Sequence, residues 1–139
     1  KSPLDVPSAT FPEKASEFEA QTAIGGGPVL INKGKIVDTW KEELFEVGGV
    51  EPASSQPRTA VGVTSDKKMI MFVCEGRNMT EGVKGMTTAE VAEILKDLGC
   101  VEAINLDGGG STCMLVNGKE TIKVSDGAQR AVASAVYFK

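Results

Sequence analysis

The sequence predicts an α+β fold: a mixed or antiparallel sheet built from several hairpins, with one main helix packed on it. Three observations carry this. Short β-rich runs recur in pairs, separated by turn signals such as Asn32-Lys33-Gly34 and Asn117-Gly118. One stretch, residues 87–99, combines helical spacing with a start and a stop signal. The regular strand–helix alternation of a parallel sheet is missing.

Residues 1–21 are polar, Pro-containing and weakly patterned. They read as a loose lead-in, with a short helix expected over 13–20, and residues 22–139 read as one domain. Val29-Leu30-Ile31 and Lys35-Ile36-Val37 form the arms of a first hairpin around Asn32-Lys33-Gly34. Residues 39–57 read as a surface loop with a helical turn at 40–45, in which Trp40 serves as core or anchor. The β-rich runs 59–64 and 69–74 make a second hairpin across Ser65-Asp66-Lys67-Lys68, and 75–85 is a glycine-punctuated loop. Thr87-Thr88-Ala89-Glu90 fits a capping box. Val91, Ile94, Leu95 and Leu98 then recur at helical spacing, and Gly99 is a natural stop. Residues 103–106 are a short apolar strand ending at Asp107. Residues 113–116 and 121–124 are expected as a third hairpin around Asn117-Gly118. Residues 125–130 are a polar loop, and 131–138 are expected as a closing strand.

Composition narrows the function. A chain of 139 residues suggests one domain and can bury roughly two-thirds of its surface. A net charge of −4 and a pI near 4.9 argue against a nucleic-acid partner, which calls for a basic face. No apolar run approaches the roughly 18 residues of a membrane span. Cys74, Cys100 and Cys113 lack metal-type spacing and read as small buried hydrophobes. The chain has no histidine. Ser-His-Asp and Cys-His catalysis, and histidine-ligated zinc, are therefore excluded. Proton transfer falls to carboxylates, Lys, Tyr, Cys or water.

The chemistry-bearing run is Asp107-Gly108-Gly109-Gly110-Ser111-Thr112. A tight turn between strands needs one or two glycines. Three in a row remove every side chain that would keep a ligand from the main chain, and successive N–H groups can then form an anion-binding nest. Ser111 and Thr112 add hydroxyls, and Asp107 can act as acid, base or metal ligand. A Walker A loop is excluded, because no Gly-Lys-Ser/Thr follows. Gly25-Gly26-Gly27 is a second cluster, equally readable as a plain loop. Arg58, Arg77 and Arg130 each stand beside a predicted loop. Singly each reads as a surface ion pair; as a set they offer planar forks suited to phosphate. Glu75 and Asp126 are the carboxylates to pair with Asp107, since glycosidases commonly use two. Glu90 is explained by helix capping. No cofactor is required; a divalent cation at Asp107 is compatible with carboxylate and carbonyl oxygens, but no ligand spacing demands one.

In order, Ile24-Gly25-Gly26-Gly27-Pro28-Val29-Leu30, Arg58-Thr59-Ala60-Val61-Gly62, Glu75-Gly76-Arg77, Gly85-Met86-Thr87 and Asn105-Leu106-Asp107-Gly108-Gly109-Gly110-Ser111-Thr112, followed by Ser125-Asp126-Gly127 and Arg130-Ala131-Val132-Ala133, resemble the phosphodiester glycosidase domain family. The resemblance implies hydrolysis of a sugar-1-phosphodiester, which in the best-known member releases N-acetylglucosamine from phosphate. It implies site roles for Arg58, Arg77, Asp107, Gly108, Gly109, Gly110, Ser111, Asp126 and Arg130, and it favours a secreted or cell-envelope setting. Two departures stand out: the family's Asp-Gly-Arg is Glu75-Gly76-Arg77 here, and its N-terminal Asn-Gly-Gly-aromatic motif is missing. The chain is therefore expected to correspond to the C-terminal part of the domain, with a separate N-terminal segment or a second copy as an expected partner. The alternatives to an enzyme are a non-catalytic sugar- or phosphate-binding module and a cell-envelope interaction domain.

Overall fold

The computed structural model describes residues 20–46 and 49–138. The helix expected over 13–20 lies outside the described residues, but for Ala20. Seven strands and one helix are present among them: β1 (Val29–Asn32), β2 (Lys35–Ile36), β3 (Arg58–Thr64), β4 (Met69–Cys74), α1 (Thr88–Asp97), β5 (Cys100–Asn105), β6 (Leu115–Val116) and β7 (Lys119–Glu120), with a short 3₁₀ turn at Gly109–Ser111. The main sheet has the order β2-β1-β5-β3-β4, and every pair in it is antiparallel. The α+β arrangement is therefore as the sequence predicts, with the sheet antiparallel rather than mixed.

Local chemistry sets the helix. Thr87 is its N-cap: the Glu90 amide donates to Thr87 Oγ1 at 3.2 Å, and the Thr87 amide donates to Glu90 Oε2 at 2.7 Å. Two otherwise orphaned donors are satisfied reciprocally. Gly99, at φ +85°, takes the left-handed conformation that ends the helix. Val91, Ala92 and Leu95 are fully buried against Leu30, Ile31, Ala60, Cys100 and Ala103 of the sheet. The expected turn at 40–45 forms as well, with the Phe45 amide on the Trp40 carbonyl at 2.9 Å.

The helix covers one sheet face. Along β3, Arg58, Ala60, Gly62 and Thr64 point to the buried side. The alternation of strand side chains puts Val61 and Val63 on the other. Val61 pairs with Met71 and Val63 with Met69. Val63, Met69 and Met71 are exposed.

Four expected strands are corrected. Strand β5 starts at Cys100, directly after the Gly99 stop, not at 103. The last hairpin is shorter than expected. With Asn117 and Gly118 at φ +51° and +75°, a two-residue turn fixes Val116 opposite Lys119 and Leu115 opposite Glu120. The returning arm is therefore 119–120 instead of 121–124, and Cys113 stands outside the ladder. Residues 131–138 form no strand: they join neither described sheet, and Val132, Val136, Tyr137 and Phe138 are exposed.

Topology builds the site. Strand β5 lies between β1 and β3 and runs opposite to both. Its C-terminal end therefore meets the starts of β1 and β3 and the end of β4. Gly25-Gly26-Gly27, Gln56-Pro57-Arg58, Glu75-Gly76-Arg77 and the Asp107 loop, four segments far apart in sequence, converge at one end of the sheet.

Candidate active site

A cavity of about 580 Å³ opens at this sheet end. Both glycine clusters line it, together with Gln56, Arg58, Arg77, Asn105, Asp107 and Arg130. The ambiguous Gly25-Gly26-Gly27 run is thus part of the wall.

The triple glycine is used residue by residue. Gly109 sits at φ +56°, and a Cβ there would stand 3.0 Å from Arg77 Nη2. A Cβ on Gly110 would collide with the Asp126 carboxylate, so the missing side chain lets that carboxylate lie against the loop. The amides are divided as well. Gly109 N–H donates to the Pro57 carbonyl at 2.9 Å, Ser111 N–H to Gly108 and Thr112 N–H to Gly109. Among the described residues the amides of Asp107, Gly108 and Gly110 make no hydrogen bond. The loop therefore keeps three free donors, but they are not the three glycine amides that the sequence suggests.

Four charged side chains gather around this loop. Arg130 Nη2 is 3.9 Å from Asp107 Oδ2, and its Nη1 is 3.8 Å from Asp126 Oδ2. Arg77 Nη1 approaches Asp126 Oδ1 at 3.8 Å. Arg130 also donates to the Ser111 hydroxyl. Arg77 is steadied by Gln56 Oε1 at 3.1 Å and Ser125 Oγ at 3.5 Å. The Asp107 side chain is 78% exposed and so is accessible to a ligand. Asp107, Asp126, Arg77, Arg130 and Ser111 are thus brought together.

Other expected site residues are placed differently. Arg58 lies on the cavity wall, yet it is only 2% exposed. Its guanidinium donates to the carbonyls of Met86, Val50, Glu51 and Ser54 at 2.7–2.8 Å. Four of its five N–H groups are thereby spent on the main chain. Burial lowers its pKa, an effect countered by Cys74, Glu51 and Asp38. Thr112 is buried, and its hydroxyl faces Thr59 Oγ1 at 3.4 Å rather than the cavity. Glu75 is not part of the cavity wall. Its Oε1 accepts from the Lys123 amide at 2.7 Å, and hydrogen bonds from Thr80 and Lys123 hold its carboxyl below the ordinary glutamate value. Cys74, Cys100 and Cys113 are unbridged, with thiols pushed up mainly by burial.

Two contributors are missed by reading residue types. Asn105 is 2% exposed and ties the two glycine loops together, its Nδ2 donating to the Gly27 carbonyl at 2.9 Å and to Leu106 at 2.8 Å. Gln56 bridges Arg77 and Glu51. Among the described residues no cluster of three or more Cys, Asp or Glu could hold a metal, and no helix is long and apolar enough to cross a membrane.

Comparison with known proteins gives the family. The phosphodiester glycosidase family model matches residues 6–139. The chain is 34% identical over 108 residues to mouse N-acetylglucosamine-1-phosphodiester alpha-N-acetylglucosaminidase, covering 76% of this chain and 20% of that protein. It is 35% identical over 80 residues to the SPbeta prophage-derived uncharacterized protein YomE of Bacillus subtilis, covering 58% of this chain and 12% of that protein. Among solved structures, the zebrafish N-acetylglucosamine-1-phosphodiester alpha-N-acetylglucosaminidase catalytic domain, auto-inhibited by its pro-peptide, superposes with a TM-score of 0.61 at 34% identity, over 73% of this chain and 34% of that one. A hypothetical protein from Synechocystis superposes with a TM-score of 0.64 at 31% identity, over 76% of this chain and 19% of that one. The chain thus spans a fifth or less of the length of these curated relatives, and it belongs to the phosphodiester glycosidase family.

Proposed function

We propose that the cavity holds a sugar-1-phosphodiester and that this chain takes part in its hydrolysis. The observation that carries the reading is that Arg77 and Arg130 line one cavity with the Asp107 loop, which keeps three unpaired amides and an exposed carboxylate. Arginine forks and free N–H groups are the donors a phosphodiester requires.

In this reading the phosphate lies on the amides of Asp107, Gly108 and Gly110, flanked by Arg77 and Arg130. Water attacks the anomeric carbon, and Asp107 accepts its proton. The bond between that carbon and the phosphate oxygen breaks, and the electron pair stays on the oxygen. The leaving group is a phosphate monoester of the aglycone, and the same donors stabilise its developing charge. Asp126 bridges the two arginines, one on each carboxylate oxygen. Arg58 supports the cavity wall from behind, and Glu75 tethers the segment before Asp126.

A second reading is a module that binds sugar phosphate without hydrolysing it. What favours it is that Asp126 is engaged by both arginines and Glu75 lies off the cavity wall, so Asp107 has no second free carboxylate of the kind glycosidases commonly use. Val63, Met69 and Met71, exposed on the sheet face away from the helix among the described residues, suit packing of a separate segment of the same domain.

Turnover of a methyl diester of N-acetylglucosamine-1-phosphate by the chain and by Asp107→Asn tests the proposal. Loss of turnover with binding kept supports it, binding without turnover in both identifies the second reading, and near-normal turnover by the variant rejects the role of Asp107.

A further inference from the structure

We propose that Asn105 is a positioning residue that sets the two glycine loops against one another and aims the amide of Asp107. The inference rests on the reading of the cavity as an anion site.

Asn105 is the last residue of β5 and is almost fully buried. Its main chain already joins the two walls: the Gly27 amide donates to the Asn105 carbonyl at 2.8 Å, and the Asn105 amide donates to Pro28 at 3.0 Å. The side chain adds what the ladder cannot. One Nδ2 proton goes to the Gly27 carbonyl, 78 residues away, and the other to the Leu106 carbonyl. A single –NH₂ group thus bonds both loops at once, and an amide is the smallest side chain that carries two such protons.

The bond to Leu106 reaches the chemistry. A peptide unit is planar, with C=O and the following N–H on opposite sides. Fixing the Leu106 carbonyl toward Asn105 therefore turns the Asp107 N–H away from it. The Leu106 amide is fixed too, by the Thr59 carbonyl at 2.8 Å. With both flanks of Leu106 held, the unpaired Asp107 amide has one orientation. The Gly26 wall is just as tight, since a Cβ there would meet the Asn105 carbonyl at 2.5 Å.

Backbone amide exchange and binding of inorganic phosphate test this in the full chain, comparing wild type, N105A and N105D. In N105A, exchange at the hydrogen-bonded amides of Gly27 and Leu106 speeds up at least tenfold while the α1 amides keep wild-type rates, and phosphate binds about tenfold more weakly. Uniform acceleration across the sheet and helix, or unchanged exchange at Gly27 and Leu106, overturns the proposal. If N105A does not fold, N105D decides. An ionised carboxylate there faces two carbonyl oxygens, whereas the protonated form offers one donor. Melting temperature and phosphate binding of N105D, relative to wild type, must then improve from pH 8 to pH 5; no change overturns the proposal. A wild-type chain that binds no phosphate rejects the anion-site reading, while the exchange rates still decide the role of Asn105.

Discussion

Arg130 Nη2 stands 3.9 Å from Asp107 Oδ2, while the other arm of the same guanidinium reaches Asp126. Both contacts are long, and the Arg130 side chain is half exposed. Exposed pairs of this kind contribute about 0–1 kcal/mol. The guanidinium is shared between two carboxylates and committed to neither, so an incoming anion can claim it at small cost.

Arg130 and Arg58 should therefore behave oppositely. Arg130→Ala is expected to keep wild-type stability within about 0.5 kcal/mol and to weaken phosphate binding by calorimetry at least tenfold. Arg58→Ala leaves buried carbonyls without donors, at roughly 1–3 kcal/mol each. Chemical denaturation should show a loss of more than about 3 kcal/mol, and Arg58→Lys should not rescue it, because an ammonium cannot reproduce the planar fork. Equal stability losses in the Arg58 and Arg130 variants would refute the distinction.

Gly110 is the seat of the Asp126 carboxylate. Gly110→Ala should displace that carboxylate and disturb Arg77 and Arg130, lowering phosphate affinity. Because the obstacle is a movable side chain end, adding Asp126→Ala should recover part of the loss. A double variant no better than Gly110→Ala alone would show that the new methyl acts elsewhere.

The capping box carries a pH signature. Hydrogen bonds from the Thr87 amide and hydroxyl hold the Glu90 carboxyl below its ordinary value of 4.5. A depressed carboxyl stabilises the fold above its unfolded pKa, and that contribution is lost as pH falls through the folded value. The melting-temperature gap between wild type and Glu90→Ala should shrink as pH drops from 7 to 3. Thr87→Ala should cost about 0.5–2 kcal/mol. A gap independent of pH would assign Glu90 no ionic role.

What could be read in the sequence divides along the range of the forces. The helix was legible because Thr87, Glu90 and Gly99 settle its ends within a few residues. The Asn117-Gly118 turn was legible, but its register moved the returning arm to 119–120. Residues 131–138 have strand-like composition, yet pairing depends on a partner that local pattern does not reveal. The Asp107 loop announced itself through cost, three adjacent glycines. Arg58 was read as a ligand because an arginine's burial is set by its neighbours. The period of two in β3, which puts it on one face with Ala60, Gly62 and Thr64, was the available signal. The role of Asn105 depends on a partner 78 residues away, and no spacing rule reaches that far.

In the proposed reaction water attacks carbon, with phosphate as the leaving group. Hydrolysis of the methyl diester of N-acetylglucosamine-1-phosphate in ¹⁸O-water, followed by ³¹P NMR, reads this directly. Methyl phosphate with unlabelled oxygens is expected, because the bond broken lies on the sugar side. An isotope-shifted phosphate signal, or a diester left intact, would contradict it.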